Sequence, residues 1–216
     1  MARRREGVSH RSASRHRPGA LAFGLATLTV LAVALAGLLG FHNVNGGWPW
    51  AVADEGPQIG GPFTLVDGTG RTVTDQTFRG KWLVVFFGYS HCPDACPTVL
   101  AEVAEALGDL GPLANRIQPL FVTVDPARDT PAVIRAFTQA IDSRILGLTG
   151  SLAQVEAMAQ AYHAYYKTGG SGPDLVIDHI AVLYVMRPDG SFAGTLPSQS
   201  EPPVLAGGIK NFITAS

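Results

Sequence analysis

Cysteine is nearly absent from this 216-residue chain: Cys92 and Cys96 are the only two. Two thiolates leave a zinc ion short of its four ligands, so a closed zinc site is excluded unless other donors join. Two chemistries remain for the pair, disulfide exchange and the clamping of one soft metal ion. Charge is also scarce, at 15% of residues, and nearly balanced, with a formal net charge of −1. That balance gives no electrostatic case for nucleic-acid binding. No internal repeat and no low-complexity tract is present. Acidic residues are almost missing from the start, where Glu6 alone opposes Arg3, Arg4, Arg5, Arg11, Arg15 and Arg17. Residues 20–41 then carry no charge at all.

That uncharged run is ~33 Å long as a helix at ~1.5 Å per residue, enough to span a bilayer. The basic flank stays on the cytoplasmic side, which puts the rest of the chain on the far side. A cleaved signal is the rival, with Ala51-Val52-Ala53 as its cleavage site. The apolar run exceeds an ordinary signal core, and the cleavage site lies well beyond it, so an uncleaved anchor is expected. A mitochondrial presequence is the further alternative. The expected organisation is a basic segment (1–19), a transmembrane anchor (20–41), a linker (42–58) and one domain (59–216). Trp48 and Trp50 in the linker are placed at the membrane interface.

Within that domain, Asp67-Gly68-Thr69-Gly70 between two strand-like runs signals a hairpin. Lys81 to Gly88 is continuously apolar after its lysine, as in a central strand covered on both faces. It runs into the cysteine loop, and Pro97 is expected to open a helix to about Leu110. Residues 117–124 predict a second strand, and Asp129-Thr130-Pro131 caps a helix to about Ile141. A short strand over 145–148 follows. Ser151 with Gln154 forms a capping-box pattern for the next helix. Residues 180–186 and 191–195 flank Pro188-Asp189-Gly190 as a second hairpin, and 202–213 closes the chain as a helix. The order predicts an α/β fold: a thioredoxin-like sheet with flanking helices and an N-terminal hairpin, preceded by one transmembrane helix. The cysteine loop falls at the carboxyl end of a central strand, where reactive groups gather in such sheets.

Cys92 and Cys96 stand in Tyr89-Ser90-His91-Cys92-Pro93-Asp94-Ala95-Cys96-Pro97. A helix start beside them favours thiolate through its free N–H groups and dipole. Two buried structural cysteines would be poor core design in a proline-bracketed loop, and a structural disulfide would close a tiny loop for little entropic gain. Copper(I) accepts two or three soft ligands, which two cysteines and one imidazole satisfy. Of six histidines, His10, His16 and His42 lie near the start or the anchor's end. His163 sits beside Tyr162, and His91 adjoins Cys92, where neighbouring side chains point apart. His179 precedes a strand whose leading loop faces the cysteine loop in a thioredoxin-like sheet, so it is the expected third ligand.

With Gly-Tyr-Ser-His-Cys-Pro-Asp-Ala-Cys-Pro at 88–97, Val-Asp-Pro-Ala-Arg-Asp-Thr at 124–130 and Asp178-His179 before a strand, the chain resembles the Sco/SenC family of membrane-anchored, thioredoxin-like copper proteins. The resemblance covers about 60–212. It implies that Cys92, Cys96 and His179 bind copper as Cu(I), Cu(II) or both. It also implies a metallochaperone that matures the dinuclear copper centre of cytochrome c oxidase subunit II, supplied by an upstream copper donor. The domain would face the bacterial periplasm or, alternatively, the mitochondrial intermembrane space. Asp178 is expected to orient the His179 ring. Asp125, Arg128 and Asp129 are read either as a capping and ion-pair cluster or as a docking patch.

A second function class fits the same cysteines: a thiol-disulfide reductase that keeps a target's thiols reduced, with Cys92 and Cys96 as its redox pair. Reductases of this fold place a proline in the loop occupied here by His179, and none lies next to Ile180. A peroxiredoxin would need a hydroxyl residue three positions before Cys96, where Pro93 stands.

Overall fold

Seven consecutive buried residues form β3 (Trp82–Gly88), the strand on which the site is built. It lies between β4 (Ile117–Thr123) and β8 (Val182–Met186), parallel to the first and antiparallel to the second. Cover on both faces is why its sequence shows no alternation. The computed structural model describes Leu35 and residues 58–169, 176–179 and 182–215, with backbone alone for residues 168, 176, 178 and 179.

Around that centre runs a seven-stranded mixed sheet of order β2-β1-β5-β4-β3-β8-β9. The hairpin of β1 (Thr64–Asp67) and β2 (Thr72–Thr74) forms one edge, pairing through β1 with β5 (Leu146–Thr149). Asp67 closes its turn by accepting from the Thr69 and Arg71 N–H groups at 2.8 and 3.1 Å. At the other edge, β8 turns back into β9 (Phe192–Pro197) with a bulge between Val185 and Met186.

Helix α1 (Ala95–Asp109) follows the cysteine loop, and α2 (Pro131–Ile141) follows β4. Both lie on one face. Phe86 and Phe121 meet there with ring centroids 6.1 Å apart, and Phe121 meets Phe137 of α2 at 5.2 Å. Phe87, one residue on and so on the opposite face, packs against Tyr162 at 5.6 Å, just past α3 (Leu152–Ala161). The closing helix α4 (Pro202–Thr214) packs on α1 and β9. Caps form where expected: the Thr130 side chain accepts from Val133 N–H, and Ser151 and Gln154 bond reciprocally.

Two elements differ from the sequence expectation. Helix α1 begins at Ala95 rather than at Pro97, so Pro97 stands third in the helix and Cys96 second. Proline is still tolerated, because the first four helical N–H groups have no intrahelical acceptor. A second sheet also exists, pairing β6 (Tyr166–Gly169) with β7 (Val176–His179). His179 therefore ends one strand, and the strand expected after it, β8, begins at Val182. Neither Tyr-Lys-Thr-Gly nor Val-Ile-Asp-His alternates clearly enough to be read as a strand, and long-range pairing makes them so.

Residues 56–216 form one compact unit. The expected basic segment, anchor and linker lie outside the described residues, apart from Leu35 and Gln58. Among the described residues no helix is long and apolar enough to cross a membrane.

Candidate metal centre

β3 and β4 run parallel and in register from Trp82 opposite Ile117 to Gly88 opposite Thr123, so the segments that follow them leave the sheet side by side. The first is the cysteine loop and the second is the 124–130 loop. This shared strand end is where an open α/β sheet presents its ligand groups. Val124 N–H bonds Gly88 C=O at 2.8 Å and keeps the two exits together.

Cys92 is partly exposed and Cys96 fully buried, and no disulfide joins them. The Cys96 N–H points at the Cys92 sulfur, 3.4 Å away. The Cys92 sulfur thus caps the first turn of α1, accepting from an N–H that has no intrahelical partner. The expectation of thiolate at both positions is corrected for Cys96. Burial raises its pKa far above the ordinary thiol value, outweighing the hydrogen bond it accepts from the Tyr89 N–H, and the Cys92 side chain pushes it further up. A helix terminus contributes about 0.3–1 kcal/mol, too little to offset the loss of water around a fully buried sulfur.

Gly88 makes room for this arrangement. A Cβ at that position would come 2.8 Å from the Cys96 sulfur and 2.7 Å from the Phe121 ring. The neighbours are a sheet-packed aromatic and a helix-anchored thiol, which have little room to yield. Gly88→Ala should therefore cost about 1–3 kcal/mol of stability and move the Cys96 sulfur. Urea unfolding and the cysteine-loop chemical shifts check both, and an unchanged midpoint would show that the strand end yields freely.

The 124–130 motif works on the loop from inside. Asp129 is 0% exposed. Its carboxylate accepts from the Ser90 N–H at 2.9 Å, from the Ser90 hydroxyl and from the Thr123 hydroxyl at 2.6 Å. Its carbonyl accepts from Thr149 at 2.7 Å, so one residue ties the cysteine loop to β4 and β5. Asp129 can make no direct contact with a docking partner. Asp125 is also buried and pairs with Arg128. The Arg128 guanidinium lies 5.9 Å from the centre of the Tyr89 ring. The role of Ser90 has no local signal and appears only because residue 129, 39 positions away, folds onto it. Tyr89 was missed likewise. Its hydroxyl accepts from the Ile177 N–H at 3.5 Å, a contact between the cysteine loop and β7.

Ile177 belongs to β7, whose last residue is His179. The strand is thus brought to the cysteine loop by its backbone, with His179 opposite Tyr166 and Asp178 opposite Lys167. The His179 and Asp178 side chains lie outside the described residues, as do Ile180 and Ala181. Among the described residues no cluster of three or more His, Cys, Asp and Glu side chains could hold a metal. His91 turns outward, its Nδ1 3.1 Å from the Ser90 hydroxyl and 3.6 Å from the Asp129 carboxylate. Two cysteine sulfurs with no disulfide between them form a donor set suited to a soft cation such as Cu(I).

Comparison with known proteins places this architecture. The family model described as SCO1/SenC matches residues 51–214. Protein SenC of Rhodobacter capsulatus is 36% identical over 205 residues, covering 92% of this chain and 91% of that one. The human mitochondrial SCO1 homolog is 36% identical over 140 residues, covering 63% of this chain and 46% of its own. The chain thus spans nearly all of SenC but about half the length of the human relative. Among solved structures, Bradyrhizobium japonicum ScoI with copper bound superposes with a TM-score of 0.66 at 38% identity, over 71% of this chain and 99% of that one. Yeast Sco1 with copper bound gives 0.69 at 34% identity, over 74% and 91%. The thioredoxin-like fold is common to them, and with that fold, the matched family model and these identities the chain belongs to the SCO1/SenC family.

Proposed function

We propose that this protein is a copper metallochaperone that holds one copper ion through the Cys92 and Cys96 thiolates and the His179 imidazole. Its task would be to mature the dinuclear copper site of cytochrome c oxidase subunit II, taking the metal from an upstream donor. Residues 20–41 would anchor it in a bacterial inner membrane with the domain in the periplasm; a mitochondrial inner membrane with the domain in the intermembrane space is the alternative. Asp178 would orient the His179 ring. Partner docking would fall to the loop carrying Asp125, Arg128 and Asp129, with Asp129 acting through the loop's shape.

The observation that carries this reading is the pairing of two cysteines, without a disulfide, at the first turn of α1. Relatives of the same fold were solved with copper bound. Cys96 is held protonated by burial, so copper must displace its proton, and binding should strengthen as pH rises. A second reading, a thiol-disulfide reductase acting on that or another copper protein, is favoured by the unequal exposure of the pair. A partly exposed Cys92 can attack a target disulfide while the sheltered Cys96 waits to resolve the mixed disulfide.

Copper titration of the full-length chain separates the redox states. Reduced chain should take up one equivalent of Cu(I). Mild oxidation should join Cys92 to Cys96 and abolish uptake, since the ligand is thiolate. An oxidised chain that still held a full equivalent would remove the cysteines from the ligand set.

A further inference from the structure

The end of β3 away from the cysteine loop borders a cavity of about 130 Å³. Three segments close it: the entry to β1, the short 3₁₀ turn Asp75–Phe78 and the turn after β8. The Gly80 N–H bonds the Pro188 C=O at 2.9 Å and joins the last two. The floor is apolar. It holds Leu83 and Met186, which are cross-strand partners, and the stacked rings of Phe63 and Phe78 with centroids 6.2 Å apart. Asp75 and Arg79 form the outer edge, ion-paired at 3.1 Å. The Arg79 guanidinium lies across Gly190, where φ is 81° and a Cβ would come 2.6 Å from it.

One wall is Tyr162, 2% exposed. Edge-on contacts with Phe87 and Tyr184, at 5.6 and 5.7 Å, fix its ring. Its hydroxyl-bearing carbon stands at the Gly60–Gly61 segment, 4.0 Å from where a Cβ on Gly60 would be. Among the described residues that hydroxyl has no hydrogen-bond partner, although a buried unpaired phenol is unfavourable. Burial, helped by the Asp75 charge, raises its pKa and keeps it a donor. Asp75 supplies an acceptor. The Gln76 and Arg79 side chains both donate to its Oδ2, at 2.8 and 3.1 Å, and leave Oδ1 unused among the described residues. A donor and an acceptor in one cavity match a ligand hydroxyl, which accepts and donates at once. The volume sets the rest of the ligand, since a cavity of about 150 Å³ holds benzene. Aromatic and thioether walls favour a ring there, and the Asp75–Arg79 pair cancels its own charge, which favours a neutral one. We infer that this cavity binds a small neutral phenol, its ring against Phe63, Phe78 and Met186 and its hydroxyl between Tyr162 and Asp75. The site is separate from the candidate metal centre and does not rest on the copper reading.

The test titrates phenol into the isotopically labelled full-length chain and follows the Gly61, Arg79 and Gly190 amides. Their shifts should saturate at millimolar phenol, on the order of 1–5 mM, while the Cys92 amide stays in place. Tyr162→Phe removes one oxygen and keeps the ring. It should weaken phenol about five- to tenfold, the loss of one modest hydrogen bond, and leave benzene binding within about twofold. Because the hydroxyl has no protein partner, the variant should melt no lower than wild type. Amide shifts that do not saturate in wild type would show a cavity that holds water only, and overturn the inference. Equal phenol affinity in Tyr162→Phe removes the hydroxyl from the site and overturns it too. A melting point more than about 5 °C below wild type would show that the hydroxyl already has a partner within the protein, which also overturns it.

Discussion

Replacing Cys96 by serine should reduce copper uptake from one equivalent to none. One soft donor is lost, and a buried hydroxyl is a poor ligand for Cu(I). Cys92→Ser should do the same, since it leaves one thiolate and one imidazole. His179→Ala should behave differently. Both thiolates remain, so Cu(I) can stay bound in a two-coordinate form, whereas Cu(II), which prefers nitrogen and oxygen donors and higher coordination, should be weakened far more. Oxidase assembly should fall even where Cu(I) is retained. Equilibrium competition for each oxidation state, with the Cu(II) absorption spectrum, separates these outcomes. An unchanged Cu(II) affinity in His179→Ala would place the third ligand elsewhere. His91 is the next residue to replace, because its exposed ring adjoins Cys92.

The second large effect is expected at Asp129, which touches neither sulfur. Asp129→Ala strips the acceptor from the Ser90 N–H, the Ser90 hydroxyl and the Thr123 hydroxyl. Leaving buried donors unpaired costs about 1–3 kcal/mol each. Some of that is recovered where water reaches Ser90, so a total of about 3 kcal/mol is expected, or roughly 6–12 °C in Tm for a domain of this size. Ser90→Ala removes one hydroxyl and should cost about 1 kcal/mol. The double variant should be less destabilised than the sum, because the two residues share a bond. Thermal unfolding of the three variants gives the comparison. A melting point for Asp129→Ala within a degree of wild type would show that the carboxylate is not what holds the loop.

Much of the architecture was legible without coordinates. β3 could be read from residues 82–88 because a strand buried on both faces must be apolar throughout. The caps at Thr130 and Ser151 could be read because a cap is a local bond over three residues. The cysteine pair was legible as chemistry because both thiols lie on one short segment. The β6–β7 pair was not, since its stability comes from partners distant in sequence.

The residues by themselves therefore determined which groups could do chemistry and which strand would carry them, for composition and local periodicity encode both. Tertiary structure alone decided how those groups are held. It placed Cys96 at zero exposure against Gly88, where desolvation outweighs the helix terminus. It turned Asp129 inward onto Ser90 and put the Tyr89 hydroxyl against the Ile177 N–H. Such contacts join segments 39 and 88 residues apart. No local pattern records them, because burial and pairing arise only when the chain has closed on itself.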